Sequence, residues 1–336
     1  MRILRIILIL KLAYAKRKFN KRNNYRVILC CGEALIDMIP IADSDGKAAF
    51  SPLSGGAIFN TSIALGRLDT PVALLSGIST DLFGKQLNKE LLNSNVSTEF
   101  LIRSDRPTTL AFVLLKNGNA EYTFYDENSA GRLIEVNDIP IIPENISALY
   151  FGGISLCVEP AAETYETLFL RESKKRVTML DPNIRPGFIT NEISYRARLK
   201  NMISVSDIVK VSDEDLNWIF NFEDAIDNKV GLLHDLGAKL VIVTKGEDGA
   251  IAYVRGVKPI NISVPKVTVI DTVGAGDTFN AGFLSRLSQL ECLSKDKIDK
   301  LSISQIQRSL EFAVTVAAIT VSRKGSNPPF LNEIKF

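Results

Sequence analysis

The chain has 336 residues, 46% hydrophobic and 23% charged, enough to bury a substantial core as one large domain or two ordinary ones, and it is neither disordered nor fibrous. Its net charge of +2 hides an asymmetry: residues 1–26 hold nine basic residues and no acid, which leaves 31 basic against 38 acidic residues from Val27 onward, a balance of −7. A body of that sign argues against a nucleic-acid partner, and the single histidine, His234, argues against His-rich zinc sites and a Ser-His-Asp triad.

The first 26 residues are read apart from the fold. Ile3 to Leu10 is apolar but broken by Arg5, and too short to span a bilayer. Ala13-Tyr14-Ala15 has the form of a secretory cleavage site, whereas Lys11 interrupts the apolar stretch and Lys16-Arg17-Lys18 follows at once. A basic N-terminal extension outside the fold is expected, with a signal or transit segment as the alternative.

From Val27 short β-rich runs alternate with helical stretches. The strands expected are Val27–Cys31, Val72–Ser76, Ala148–Phe151, Val177–Leu180, Ile208–Val211, Leu240–Thr244 and Ala250–Val254, bounded by Gly, Pro, Asp or Asn. The helices expected are Asn60–Leu68, Gly84–Asn93, Glu163–Arg171, Ile193–Ser204, Glu214–Phe220 and Asp277–Gln289. Near-continuous apolar strands separated by helices imply an α/β fold with a parallel sheet covered on both faces. Thr108–Leu115 and Ala120–Tyr125 flank Asn117-Gly118-Asn119 and read as a β-hairpin appended to that body. Cys30, Cys31, Cys157 and Cys292 form no Cys-x-x-Cys pair and no regular framework, so a reducing cytoplasm is the expected setting.

The chemistry concentrates where β-branched Val267-Thr-Val-Ile270, read as a strand, runs into Asp271-Thr-Val-Gly274-Ala275-Gly276-Asp277-Thr-Phe279. Phe279, Phe283, Leu284 and Leu287 recur at helical spacing, so a helix begins near Asp277 behind a glycine turn. A helix start offers unpaired N–H groups and partial positive charge, an anion site that Gly274 and Gly276 let a phosphate approach. A carboxylate there repels a static phosphate but suits a base that takes a proton from an attacking hydroxyl. The alternative is a simple helix cap, although Asp271 stands six residues upstream where one cap would suffice. A dinucleotide fingerprint lacks its third glycine, Phe279 standing there, and no Walker A loop occurs.

Further polar groups follow the other strands. Asp37, in Cys31-Gly-Glu-Ala-Leu-Ile-Asp37, can accept two polyol hydroxyls or be a solvated loop acid. Gly55, Gly56 and Asn60 open a helix where a ligand can come close, and Asp181-Pro-Asn183-Ile-Arg185-Pro186 follows another strand. The acids of Ser212-Asp-Glu214-Asp215 can hold hydrated Mg²⁺ or start a helix, and Thr244-Lys245-Gly246-Glu-Asp-Gly249 reads as a hairpin turn. Together these put polar groups after at least five strands, as a phosphotransfer cleft at one sheet edge requires.

Asp271-Thr-Val-Gly-Ala-Gly-Asp277-Thr-Phe resembles the signature of the ribokinase (phosphofructokinase B) family of sugar kinases, and Ser54-Gly-Gly-Ala-Ile-Phe-Asn60 resembles its N-terminal signature. The resemblance runs from Val27 to about Pro329 and implies a ribokinase-like, Rossmann-type sandwich with a small β-sheet lid, formed by about 38–50 and 107–126. It implies Asp277 as base, the N–H groups of Gly274, Ala275 and Gly276 as anion hole, and a sugar held by Asp37, Gly55, Gly56, Asn60, Tyr125, Asn183 and Arg185. It also implies an ATP site bordered by Ser212, Thr244, Lys245, Gly246, Gly249 and residues around Ala317 to Gly325. Mg²⁺ would lie near Asp215 or Glu214, and a monovalent cation, K⁺, at Asp271 and the Val273 carbonyl. The family's Asn-x-x-Glu reads Ser212-Asp-Glu-Asp215 here, a shortened acid that weakens the Mg²⁺ assignment.

Arg106-Pro-Thr-Thr-Leu-Ala-Phe112, Phe124-Tyr-Asp-Glu-Asn-Ser-Ala-Gly-Arg132 and Asp181–Pro186 look like the bacterial fructokinase branch, implying ATP-dependent phosphorylation of D-fructose. The alternative is a 2-keto-3-deoxygluconate kinase or another monosaccharide kinase. Asp126 and Glu127 after Tyr125 would repel a sugar acid, whereas Arg185 could pair with one. A non-catalytic sugar or nucleotide sensor is disfavoured by the intact Asp277 and its glycines, and a second copy is the candidate cover for an exposed apolar lid face.

Overall fold

The computed structural model describes residues 26–42, 45–116 and 119–335. The N-terminal segment with Ala13-Tyr14-Ala15, and Asn117-Gly118 of the expected hairpin turn, lie outside the described residues. Numbered in chain order, eight strands form the central sheet: β1 (Val27–Cys31), β4 (Val72–Leu75), β9 (Ile146–Gly152), β10 (Val177–Asp181), β11 (Ile208–Ser212), β12 (Leu240–Thr244), β13 (Ala250–Val254) and β14 (Ile260–Ile262). Their spatial order is β14-β13-β12-β11-β10-β9-β1-β4, parallel from β4 to β12 and antiparallel at the β13 and β14 edge.

Successive side chains of a strand point to opposite faces, and a sheet covered on both needs both sets apolar. In β1, Ile28 and Cys30 pack into one core while Leu29 and Cys31 pack into the other. The first core is closed by helices α1 (Ala57–Arg67), α2 (Leu82–Asn93), α7 (Ala275–Gln289) and α9 (Ile303–Val321). The second is closed by α3 (Ala161–Glu172), α4 (Glu192–Ile203), α5 (Asp213–Ile219) and α6 (Ile226–Leu236). A short α8 (Lys295–Ile298) joins α7 to α9. All four cysteines are free and buried.

A second sheet, in the order β3-β2-β7-β8, is made of β2 (Leu35–Ala42), β3 (Ala48–Gly55), β7 (Leu110–Lys116) and β8 (Asn119–Tyr125). It leaves the body where β1 ends, so Asp37 on β2 starts at the cleft and its neighbours lead outward. Two short strands, β5 (Gly77–Ser79) and β6 (Ile102–Ser104), pair beside it.

Around the glycine turns that open α1 and α7 the sequence reading needs two corrections. Val267–Ile270 is not a strand: residues 263–269 have no regular structure, and Val269 and Ile270 are 60% and 64% exposed. β-Branched residues make a strand only where a ladder partner is free, and here the Ile270 and Asp271 amides bond instead to the Val321 carbonyl at the end of α9. Second, α1 and α7 begin at Ala57 and Ala275, two to three residues earlier than the pattern suggests. Their N-caps are Gly56 and Gly274, which carry no capping side chain to announce the start.

Candidate active site

The carboxyl ends of β1, β9, β10 and β11 and the N-termini of α1 and α7 converge on one cavity of about 250 Å³. It is lined by Glu33, Leu35, Asp37, Gly56, Ala57, Asn60, Phe124, Gly153, Ile154, Asn183, Arg185 and Lys210, and by the run Thr272–Asp277. Ligands bind at this edge of an open parallel sheet because loops leave the strands there and helix N-termini point in.

The α7 end is built as an anion cradle. Gly274 takes a left-handed φ of 77°, and a Cβ there would run into Ser326. The Ala275 N–H is used by the turn, donating to Thr272 O at 3.2 Å, whereas the Gly274, Gly276 and Asp277 amides meet no acceptor among the described residues. That exchanges Ala275 for Asp277 in the expected set of donors, Gly274 and Gly276 remaining. Asp277, in the first turn of α7, is buried and accepts from Asn60 Nδ2 at 2.9 Å through Oδ2. Burial pushes its carboxyl up to about 7, with Asp181 adding to the rise and Asn60, Lys210 and Arg185 opposing it.

Beneath the cradle lies a buried network of which sequence reasoning picked out only Asp181 and missed Lys210, Asn280 and Tyr150. Lys210 Nζ pairs with Asp181 Oδ2 at 3.1 Å, and Asn280, one turn after Asp277, donates to the same oxygen at 2.6 Å and to Tyr150 OH at 2.9 Å. A lysine inside Ile208-Val-Lys-Val211 was the available signal, because Lys is almost never buried unless paired. A Cβ on Gly276 would come 3.3 Å from Lys210 Nζ, so the ammonium borders the anion cradle.

The α1 end is the polar wall. Asp37, pushed up to about 6 by burial, sits against Gly55, where any Cβ would fall on its Oδ2. Gly55 therefore supports the wall without lining the cavity. Asn183, at a left-handed φ of 44°, and Arg185 complete the wall from β10's end. Tyr125 does not join it: the β8 register pairs Phe124 with Ala111, the partner of Asp37, so Phe124 enters the cavity and Tyr125 lies on the other face, 58% exposed.

The nucleotide-side candidates lie on the same sheet edge but outside the cavity lining. Thr244, Lys245, Gly246 and Gly249 form the β12–β13 turn, closed by Lys245 N–H on Gly249 O at 2.8 Å. Ser212 caps α5, and its partner Asp215 takes the Ile184 N–H at 2.9 Å on one oxygen and the Ser212 N–H at 3.3 Å on the other. Glu214 is exposed. Asp271 accepts from Val273 N and Gly325 N, at 3.0 and 2.9 Å, tying the cradle's turn to the loop after α9. Ser326 Oγ, buried beside that turn, has no hydrogen-bond partner among the described residues.

An anion cradle with a buried carboxyl of raised pKa inside it, opposite a wall of carboxylate, amide and guanidinium groups that can hold hydroxyls, suits phosphoryl transfer to a small polyol. The pfkB family carbohydrate kinases match residues 26–333, and the chain belongs to that family. It is 50% identical over 275 residues, 82% of this chain and 84% of the relative, to the fructokinase of Rhizobium leguminosarum bv. trifolii. It is 31% identical, over 90% of this chain and 79% of the relative, to probable fructokinase-6, chloroplastic, of Arabidopsis thaliana. The fructokinase with bound ATP from Xylella fastidiosa superposes with a TM-score of 0.84 at 29% identity, covering 92% of this chain and 96% of that one.

Proposed function

We propose that the chain is an ATP-dependent fructokinase that transfers the γ-phosphoryl group of ATP to the 6-hydroxyl of D-fructose. The observation that carries the reading is Asp277, a buried carboxylate of raised pKa set among the amides of Gly274, Gly276 and Asp277 and facing the Asp37 wall. Fructose lies against Asp37, Gly56, Asn60, Asn183 and Arg185, its 6-hydroxyl toward Asp277. Asp277 takes the hydroxyl proton, the oxygen attacks the γ-phosphorus in line, and the O–P bond to ADP breaks. The cradle amides and the Lys210 ammonium stabilise charge on the transferring group. The nucleotide runs from the cradle along Ser212, Thr244, Lys245, Gly246 and Gly249, and closure of the β2-β3-β7-β8 sheet, the lid, keeps water out.

The two ions implied by the family differ in how well this chain suits them. Asp271, the Val273 carbonyl and the unpartnered Ser326 Oγ beside the same turn are hard oxygen donors of the kind that suits K⁺, which would screen charge and stiffen the cradle's turn. Asp215 suits Mg²⁺ less well as a direct ligand, because it is buried, with its oxygens turned to the Ile184 and Ser212 amides. Exposed Glu214 is the remaining acid for hydrated Mg²⁺ brought by the nucleotide, and no step is derived through it. Among the described residues no helix is long and apolar enough to cross a membrane, and four free buried cysteines suit the cytoplasm. A second reading, a sugar-acid kinase, has Arg185 at the cavity wall in its favour.

The test is ADP release from ATP with Mg²⁺ and K⁺ over fructose, glucose, ribose, adenosine and 2-keto-3-deoxygluconate, in wild type and Asp277→Asn. Fructose-dependent release is expected, with kcat lower by about 10²–10⁴ in the variant and little change in fructose KM. Preference for 2-keto-3-deoxygluconate would move the substrate to the second reading, and near-normal turnover in the variant would remove Asp277 as base.

A further inference from the structure

The buried carboxylate of Glu33 lines the cavity, and three donors from two other segments hold it. Oε1 accepts the Ala57 N–H at 2.9 Å, and Oε2 accepts the Ser155 hydroxyl at 2.9 Å and the Ser155 N–H at 3.4 Å. Its own carbonyl takes the Phe59 N–H at 3.2 Å. Two glycines with left-handed φ close on it: a Cβ on Gly56 would lie 3.0 Å from Glu33 O, and one on Gly153 would collide with the carboxylate. Glu33 thus joins the ends of β1 and β9 to the start of α1.

Helix α1 supplies no capping side chain of its own. The first N–H groups of a helix need acceptors, and a carboxylate there also meets the positive end of the helix dipole. Glu33, 24 residues upstream of Ala57, fills both needs. We propose that Glu33 is the positioning residue of the sugar site: it fixes the start of α1, and through it Gly56 and Asn60, without touching the sugar. Asn60 stands one turn into α1 and donates to Asp277, so the same anchor sets the distance between sugar wall and base. Ser212, Thr244, Lys245, Gly246 and Gly249, the nucleotide-side candidates, take part in none of these bonds, and the role therefore predicts a split between the two substrates.

This inference rests on the proposed sugar kinase activity, and wild-type turnover of fructose tests that activity separately. In Glu33→Gln the amide oxygen keeps the Ala57 bond, but the Ser155 N–H loses its acceptor and the α1 terminus its negative charge. Glu33→Gln is expected to raise fructose KM about tenfold, on the order of 1.4 kcal/mol, with kcat within about threefold and ATP KM unchanged. Ser155→Ala, which keeps the carboxylate and removes one donor, is expected to raise fructose KM about threefold, and the double variant less than the product of the two, because they share a bond. Should Glu33→Gln fail to fold, the fructose-only effect of Ser155→Ala carries the test. An unchanged fructose KM, equal rises for fructose and ATP, or independent effects in the double variant would overturn the role.

Discussion

Asp277 is lifted to about 7 by the burial that also removes its water, so its two protonation states pull function and stability in opposite directions. As a base it works ionised, and kcat should rise with pH through about 7. In the unfolded chain an Asp titrates near ~3.9, so between that pH and about 7 folding takes up a proton. The stability from the neutral side chain is therefore complete below the unfolded pKa and lost as pH rises through the folded one. Asp277→Asn is neutral throughout and keeps an acceptor for Asn60 Nδ2. Its Tm at pH 8 should exceed that of wild type by on the order of 5 °C, a gap that narrows at pH 5 and closes below about pH 4. Thermal melts at the three pH values check this, and a variant less stable than wild type at pH 8 would show that Asp277 is not held against its own charge. The site was legible in the sequence where residues follow glycine pairs or strand ends, as Asp277, Asp37, Asn60 and Arg185 do. It was not legible where the choice depends on which face of a strand looks inward. Phe124 and Tyr125 are adjacent aromatics, and only the pairing of Phe124 with Ala111 decides between them.

At the scale of elements, seven of the eight strands of the central sheet were legible because each is a short apolar run ended by a breaker, whereas the three-residue edge strand β14 was not. Helix α9 was not anticipated, although it is 19 residues long and opens with a capping box of Ser302 and Gln305. Its Val314, Val316, Ile319, Thr320 and Val321 favour strands by local preference, and only packing against α7 overrides it. That packing is close enough to test. A Cβ on Gly282 of α7 would lie 2.8 Å from Ala313 Cα, backbone of α9 that cannot move aside. Gly282→Ala gains about 1 kcal/mol of helix propensity, but forcing atoms against the facing helix costs roughly 1–3 kcal/mol. The clash should win. Tm should fall by about 2–5 °C, and kcat should fall with it because Asp277 rides on the same helix. A Tm at or above wild type would mean that the two helices separate without strain.

For the molecule as a whole, the open question is what covers the lid. Its inner face sends Asp37 and Phe124 to the cavity. On its outer face Phe50, Phe112 and Tyr125 stack edge to face, with centroids 5.0 and 5.4 Å apart, and Phe50 and Tyr125 are 41% and 58% exposed. Aromatics left open on a four-stranded sheet are more costly in water than against another apolar face. The two-sided sheet suggests the partner. A second lid offers the same aromatics, and a two-fold axis lets one patch satisfy both copies. Light scattering at micromolar concentration should therefore give twice the mass of the chain, and Phe50→Glu with Tyr125→Glu should give the single mass, because a buried unpaired carboxylate is strongly disfavoured. The inner face links this to catalysis. Asp37 and Phe124 are carried by the strands that would pair, so the monomeric variant should hold fructose more loosely, with KM raised several-fold and Tm little changed. A wild-type chain that already runs as a monomer would leave those aromatics to the lid's own packing and remove the second copy from the mechanism.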